Sequence, residues 1–166
     1  MDFIVEPFHR RFDRSAFDSG QPALDEWLRS QAGQQDGRHN ARTFLAVLDN
    51  RVIGYYSTLT YRLDLDEVAA AVGAGARQYP IPAVLLARLA VDREFQGHGV
   101  GSRLLLDGLA RLASVSRDIG FEVVVVDALD RDASVFYRRF GFQAFQRKPL
   151  KLFLATKDLR RTFGLA

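Results

Sequence analysis

The sequence predicts an α/β (α+β) fold: one domain over residues 1–166, with a mixed, mostly antiparallel, twisted sheet and helices on both faces. Three observations predict it. An apolar strand-like run, Ala83 to Val91, passes through a Gly-rich loop into an amphipathic helix. A β-branched run, Phe121 to Ala128, is followed at once by a short helical segment. Earlier in the chain, Phe44 to Leu48 and Val52 to Tyr61 flank Asp49-Asn50, a two-residue hairpin signal. A chain of 166 residues is long enough for one domain with a real core, and no repeat, low-complexity tract or composition break divides it.

Element by element, Phe17-Asp18-Ser19-Gly20 reads as a turn. Pro22 can then occupy a first helical position, with Asp25 and Glu26 in the first turn where the helix dipole favours acids. Leu24, Trp27, Leu28 and Ala32 recur at helical spacing and mark that helix's buried face. The hairpin follows. Leu65 to Pro82, rich in Ala, Gly and Pro, is the least legible stretch and reads either as a short helix at Glu67 to Val72 or as a loop near a substrate mouth. Beyond the Gly-rich loop, Leu104, Leu105, Leu109 and Leu112 supply the inner face of the next helix. Leu129 to Asp132 ends the second strand run. Ala133 to Phe140 then forms a short helix closed by Gly141 at a left-handed cap, and Leu150 to Ala155 makes a final strand.

Composition removes several classes of function. Without cysteine there are no disulfides, thiolate nucleophiles or cysteine-based zinc sites. His9, His39 and His98 are scattered, so no metal is expected. No signal peptide or membrane-length apolar window is visible, and the expected compartment is the cytoplasm. The formal net charge is only +3, yet apart from Lys148, Lys151 and Lys157 every basic residue is Arg. Arginine's planar fork suits phosphate, although a GC-rich genome produces the same bias.

The loop carries the chemistry. Gly97, Gly99 and Gly101 let backbone approach a ligand, and the following helix aims unsatisfied N–H groups and its positive dipole end into the same space, which suits a diphosphate. No Lys-Ser/Thr pair closes the loop, so it is not the nucleoside-triphosphate P-loop. Glycines stepping by two also fit a dinucleotide fingerprint poorly. What remains, Gln96-x-x-Gly99-x-Gly101 after a strand ending Leu-Ala-Val-Asp, resembles the acetyl-coenzyme A loop of the GCN5-related N-acetyltransferases. In the second half, Asp-x-x-Ala-x-x-Phe-Tyr-x-x-x-Gly-Phe from Asp130 is similar to the other end of the same family's site.

The resemblance implies acetyl-coenzyme A as co-substrate. It carries binding roles to Leu89, Ala90 and Val91 of the strand, to Gln96, Gly97, His98, Gly99, Val100, Gly101 and Ser102 of the loop, and to Asp130, Ala133 and Phe136. It gives Tyr137 the role of general acid toward the departing thiolate. A phenol of pKa about 10 stays protonated at neutral pH and can serve a thiol of about 8.5. Leu89 to Val91 amides can polarise the thioester carbonyl. No confident base is visible: a water, a backbone carbonyl, Glu67 or Asp92 can each serve.

Further elements narrow the resemblance. Phe17-Asp18-Ser19-Gly20, Leu24-Asp25-x-Trp27-Leu28, Gly54-Tyr55-Tyr56, Ala87 to Asp92 and Val126-Asp127-Ala128 resemble the toxin branch of bacterial toxin–antitoxin modules, which N-acetylates the amino acid on charged transfer RNA. The likeness runs from about Phe12 to Leu154; one departure is Ser19, where the branch usually has Cys in a structural position. It implies aminoacyl-tRNA as acceptor, a homodimer, a ribbon-helix-helix antitoxin and no membrane partner. Arg38, Arg42, Arg77, Arg88, Arg138 and Arg139 are the candidate acceptor-binding cations, each also readable as a solvated charge. Two alternatives stay open, an N-acetyltransferase for a small-molecule or protein amine and a non-catalytic coenzyme A- or nucleic-acid-binding regulatory module.

Overall fold

A computed structural model describes residues 1–64 and 80–165. Seven strands, β1 (Ile4–Pro7), β2 (Arg42–Leu48), β3 (Arg51–Leu63), β4 (Ile81–Val91), β5 (Val123–Asp127), β6 (Gln143–Phe145) and β7 (Lys148–Ala155), form a sheet in the order β1-β2-β3-β4-β5-β7-β6. The pairs β1·β2, β2·β3, β5·β7 and β6·β7 are antiparallel and β4·β5 is parallel, so the sheet is mixed and mostly antiparallel, as the sequence predicts. Contacts group the chain into two compact units, Met1–Leu59 with Ala87–Leu109, and Thr60–Leu86 with Ala110–Ala166.

In the first unit the hairpin forms where the sequence puts it. Asp49 and Asn50 both take positive φ (47° and 65°), the twist that matches two antiparallel strands, and Leu48 pairs with Arg51 across the turn. Pro22 opens helix α1 (Pro22–Glu26), which passes through a π-helical turn, Trp27–Gln31, into α2 (Ala32–Gly37). Leu28 and Ala32 are fully buried with Phe17, Leu45, Val47, Tyr55 and Ala90, the face that the periodicity assigns to the core. Helix α3 (Val100–Val115) covers the opposite face of β3. A Cβ on Gly54 would lie 2.9 Å from Leu104 Cδ1, and one on Gly108 would lie 3.1 Å from the Tyr56 ring. Glycine on each surface lets helix and strand approach this closely.

In the second unit β4 pairs with β5 from Ala83↔Val123 to Leu86↔Val126, and β5 pairs on its other edge with β7. Val123, Val124, Val125 and Val126 are all completely buried, which accounts for an unbroken β-branched run in place of alternation. Helix α4 (Arg131–Arg138) starts two residues before the sequence expectation, because the Asp130 carboxylate caps it by accepting the Ala133 N–H at 2.9 Å. Gly141 takes φ 95°, as its place after the helix requires. Strands β1 and β6 and the C-terminal helix α5 (Thr156–Thr162) have no counterpart in the sequence reading. The segment around Glu67 to Val72, Glu67 itself and Arg77 lie outside the described residues.

Candidate active site

At the end of β4 the chain builds a braced turn, all within the first unit. Asp92 is 2% exposed. Its Oδ1 accepts the Glu94 N–H at 3.0 Å, capping the 3-10 turn Arg93–Phe95, while Oδ2 accepts the Asp18 N–H at 3.1 Å and Arg51 Nη2 at 3.3 Å. A carboxylate so fully engaged is a structural tie, which removes Asp92 from the candidates for a free base. Gln96 reaches back and donates from Nε2 to the carbonyls of Val91 (2.8 Å) and Ser19 (3.0 Å). Its side chain therefore holds the loop. Ser19 in turn donates its N–H and Oγ to the buried Asp25 carboxylate, at 3.1 and 2.5 Å, fixing the Phe17 to Gly20 turn.

The loop itself is exposed from Gln96 to Gly99, and α3 begins at Val100. Gly97 and Gly99 adopt φ 81° and 80°, yet a Cβ on either would meet nothing within 4 Å. The need for glycine there is conformational, not a matter of packing. Gly101 differs from the sequence expectation. It sits in the first turn of α3, outside the left-handed region, so two glycines shape the loop. His98 is exposed, and Val100 is buried at the helix start, with Ser102 partly covered. The first-turn amides of α3 have no acceptors within the helix, and together with the exposed loop backbone they fit a pyrophosphate.

Along β4, Ala90 is buried while Leu89 and Val91 are partly covered, and all three lie past Leu86, where the β5 ladder ends. Arg88 lies with its guanidinium 3.9 Å from the centre of the Trp27 ring, with one long hydrogen bond to Ser57 Oγ (3.5 Å) and no carboxylate partner among the described residues. Trp27 stacks on Tyr55, whose hydroxyl donates to the Leu24 carbonyl at 2.7 Å; burial pushes that phenol above its ordinary pKa. Burial also lowers the pKa of Arg88. The other first-unit arginines are placed differently. Arg38 is exposed just after α2, whereas Arg42 turns back to the end of that helix, pairing with the Asp36 carboxylate (3.3 Å), the Asp36 carbonyl (2.9 Å) and His39 (2.8 Å).

In the second unit, Tyr137 is buried on α4 with its ring edge-on to Phe136 (5.3 Å) and Phe142 (5.7 Å). Its hydroxyl has no hydrogen-bond partner among the described residues, and burial pushes its pKa above the usual phenol range. Arg138 and Arg139 are exposed; Arg139 lies over Phe136 at 5.8 Å. Arg138 lines a groove of about 550 Å³ with Arg131, Ser134, Val135, Pro149 and Leu150. Among the described residues no helix is long and apolar enough to cross a membrane.

Residues 39–144 match the family model described as the acetyltransferase (GNAT) domain. The chain belongs to the GNAT acetyltransferases. As a GNAT acetyltransferase it is an acyltransferase that uses acetyl-coenzyme A. Among relatives of known name, a tRNA-acetylating toxin of Mycobacterium tuberculosis is 36% identical over 152 residues, covering 92% of this chain and 91% of the relative. The structure of AtaT complexed with acetyl-methionyl-tRNAfMet superposes with a TM-score of 0.86 at 26% identity, covering 98% of this chain and 99% of that one. A tyrosine-to-phenylalanine mutant of AtaT bound to acetyl-CoA and the C-terminus of the antitoxin AtaR gives a TM-score of 0.83 at 27% identity, with the same coverage.

The structure places the Gly-rich loop, the strand before it and a buried Tyr137 on the elements that the sequence predicts for them. Sequence reasoning missed the hydrogen-bonding duties of Asp92 and the side chain of Gln96, because both depend on a turn some 75 residues earlier in the chain. It also missed the stacking of Arg88 on Trp27, for which the only signal is that both fall within motifs of the toxin branch.

Proposed function

We propose that this GNAT acetyltransferase transfers the acetyl group to the α-amine of the amino acid on charged transfer RNA, and so blocks translation as a toxin. The observation that carries this reading is the 36% identity, over nine-tenths of both chains, to a tRNA-acetylating toxin. The AtaT complex with acetyl-methionyl-tRNAfMet supports it.

Acetyl-coenzyme A supplies the activated acyl group as a thioester. The Gln96 to Ser102 loop and the start of α3 hold the pyrophosphate, Gly97 and Gly99 presenting backbone N–H groups and Gln96 bracing them. The resemblance also gives Asp130, Ala133 and Phe136 of the second unit binding roles; there the Ala133 N–H is already given to Asp130. Backbone N–H groups of Leu89 to Val91 pair with the pantetheine arm and polarise the carbonyl as negative charge grows on its oxygen.

The neutral α-amine attacks the carbonyl carbon, the C–S bond breaks and the sulfur takes the proton of Tyr137; the proton released by the acylated nitrogen passes through water to the Tyr137 phenolate, which restores the acid. An α-amine titrates at about 7.7–8.0, and lower when its carboxyl is esterified, so a strong base is unnecessary. Tyr137 suits the acid role through a hydroxyl with no hydrogen-bond partner among the described residues, and its raised pKa means that the proton is in place at neutral pH. Arg88 and Arg138 are the best placed of the acceptor-binding cations, one without a carboxylate partner and one on a groove. Arg38, Arg139 and Arg77 assist, and Arg42 contributes only by exchanging its local contacts for phosphate. Action in the cytoplasm as a homodimer, restrained by a ribbon-helix-helix antitoxin, completes the proposal.

Labelled acetyl-coenzyme A incubated with total charged tRNA tests it. Label should enter the aminoacyl moiety and vanish when the ester is hydrolysed first. Efficient labelling of a free amine or a protein, with none on charged tRNA, refutes the acceptor and leaves the acetyltransferase.

A further inference from the structure

A second basic surface lies in the first unit, on arginines that the sequence motifs do not single out. The loop after β1 carries Arg10, Arg11 and Arg14, and the π-helical turn brings Arg29 beside them. Together with Phe12, Asp13 and Ser15 they line an open depression of about 500 Å³. Four arginines and one carboxylate line it, and Glu6 and Glu26 pair with two of the arginines. Asp13 makes no ion pair with them among the described residues; its Oδ1 accepts the N–H and the hydroxyl of Ser15 (2.9 and 2.7 Å).

The arginines are held in ways that leave charge for a ligand. Arg11 lies over the Phe12 ring at 4.6 Å and Arg14 over Phe8 at 4.9 Å, so aromatic faces fix the guanidinium planes. Arg14 donates one N–H to the Leu28 carbonyl and Arg29 one to the Phe17 carbonyl, neither of which is a charge partner. Two ion pairs are present, Arg11 with the half-exposed Glu6 at 3.3 Å and Arg29 with the exposed Glu26 at 3.8 Å, and solvent-screened pairs of this kind are readily exchanged. Arg10 has no ion pair among the described residues. Burial first, and the neighbouring Arg10 charge second, hold the Arg14 pKa below its ordinary value, a strain that an anion would relieve.

We infer that this depression is a docking surface for the phosphodiester backbone of transfer RNA. The inference rests on the proposed acceptor. Forked, always-charged guanidinium groups around an open hollow match phosphate oxygens better than lysines would. A membrane surface is a poorer match, because Phe12 is buried and Phe8 half-buried, leaving no apolar side chain to insert. Such contacts hold the body of the acceptor without reading its sequence, while the reacting amine is positioned elsewhere.

The test is the double variant Arg10→Glu, Arg11→Glu, which spares Arg14 and Arg29 and their backbone contacts. Acetyl transfer is measured from 50 to 200 mM salt with charged tRNA and with an aminoacylated mononucleotide, and melting temperature checks the fold. With charged tRNA the KM should rise tenfold or more at low salt, and the slope of log affinity against log salt should become shallower by about 1.5–2, one lost phosphate contact per arginine. The KM for acetyl-coenzyme A and turnover of the mononucleotide should stay within twofold. An unchanged tRNA KM and salt slope in a folded variant overturns the inference, as does an equal loss with the mononucleotide. If the unmodified protein acetylates no charged tRNA at all, the proposed acceptor fails first and the docking surface falls with it.

Discussion

Asp92 can be asked directly whether it ties the loop or takes a proton. Asp92→Ala removes the acceptor for two backbone N–H groups, those of Asp18 and Glu94, and for one N–H of Arg51. Each orphaned buried donor costs about 1–3 kcal/mol. Arg51 is a third exposed and keeps Glu94 at 3.1 Å, so its share is small. Because both amides are only part-buried, the loss should be about 2–4 kcal/mol, or roughly 5–15 °C of melting temperature for a chain of this size. Asp92→Asn retains one acceptor oxygen but turns an NH2 toward the donors on the other side, so it should recover only part of that loss. Thermal melts with and without coenzyme A, together with the pH profile of kcat, form the assay. Melting temperature and coenzyme A affinity should fall together, in the order Ala then Asn, with the shape of the pH profile unchanged. An unaltered melting temperature, with kcat down more than about 10²-fold in both variants and the rising limb of the profile gone, would show that Asp92 is the base.

Tyr137→Phe should lower kcat by about 10²–10⁴-fold while coenzyme A affinity, measured by calorimetry, changes less than about twofold; full activity makes the residue packing alone. Gly99→Ala forces a side chain to φ 80° at a local cost of about 1–2 kcal/mol and sets a methyl against the pyrophosphate position, so coenzyme A affinity should fall at least tenfold in a folded protein. Arg88→Lys removes the planar stack on Trp27 and should raise the KM for charged tRNA with little effect on that for acetyl-coenzyme A. Raising pH deprotonates the acceptor amine and activates it, whereas the raised pKa of Tyr137 keeps the acid protonated, so kcat/KM should climb through about pH 7–8 and show no descent below about pH 10. A descending limb near pH 9 would assign the proton to some other group.

What the sequence shows of this molecule is set by how local each cause is. The hairpin at Asp49-Asn50, the start of α1 at Pro22, the left-handed Gly141 and the strand-loop-helix through Gly97 and Gly99 each depend on a few neighbouring residues, and each is legible. Strands β1 and β6 are not. Ile4–Pro7 and Gln143–Phe145 are four and three residues long, too short to display alternation, and they exist through pairing with β2 and β7. Nor does periodicity distinguish a π turn at Trp27–Gln31 from ordinary helix, since Leu28 and Ala32 face the core in both. The third glycine of the loop misleads for the same reason. Spacing marks Gly101 as equivalent to Gly97 and Gly99, and only the backbone shows that the helix has already begun.

The roles of Asp92 and Gln96 show why a polar residue beside a ligand loop need not touch the ligand. A loop that presents bare N–H groups to an anion gains nothing from them unless they are held in place beforehand, and two left-handed glycines are by themselves the most mobile backbone available. Here the stiffness comes from side chains. The amide of Gln96 ties the loop both to the end of β4 and to Ser19, Asp92 ties the same end to Asp18, and Ser19 is locked by the buried Asp25. Serine at position 19 is sufficient for that lock, because its N–H and Oγ both reach the Asp25 carboxylate. The turn near the N-terminus therefore braces the loop that we propose holds the acyl donor, without contributing a reacting atom. Substitutions at Asp25 should weaken coenzyme A binding through the loop while leaving the chemistry of Tyr137 untouched.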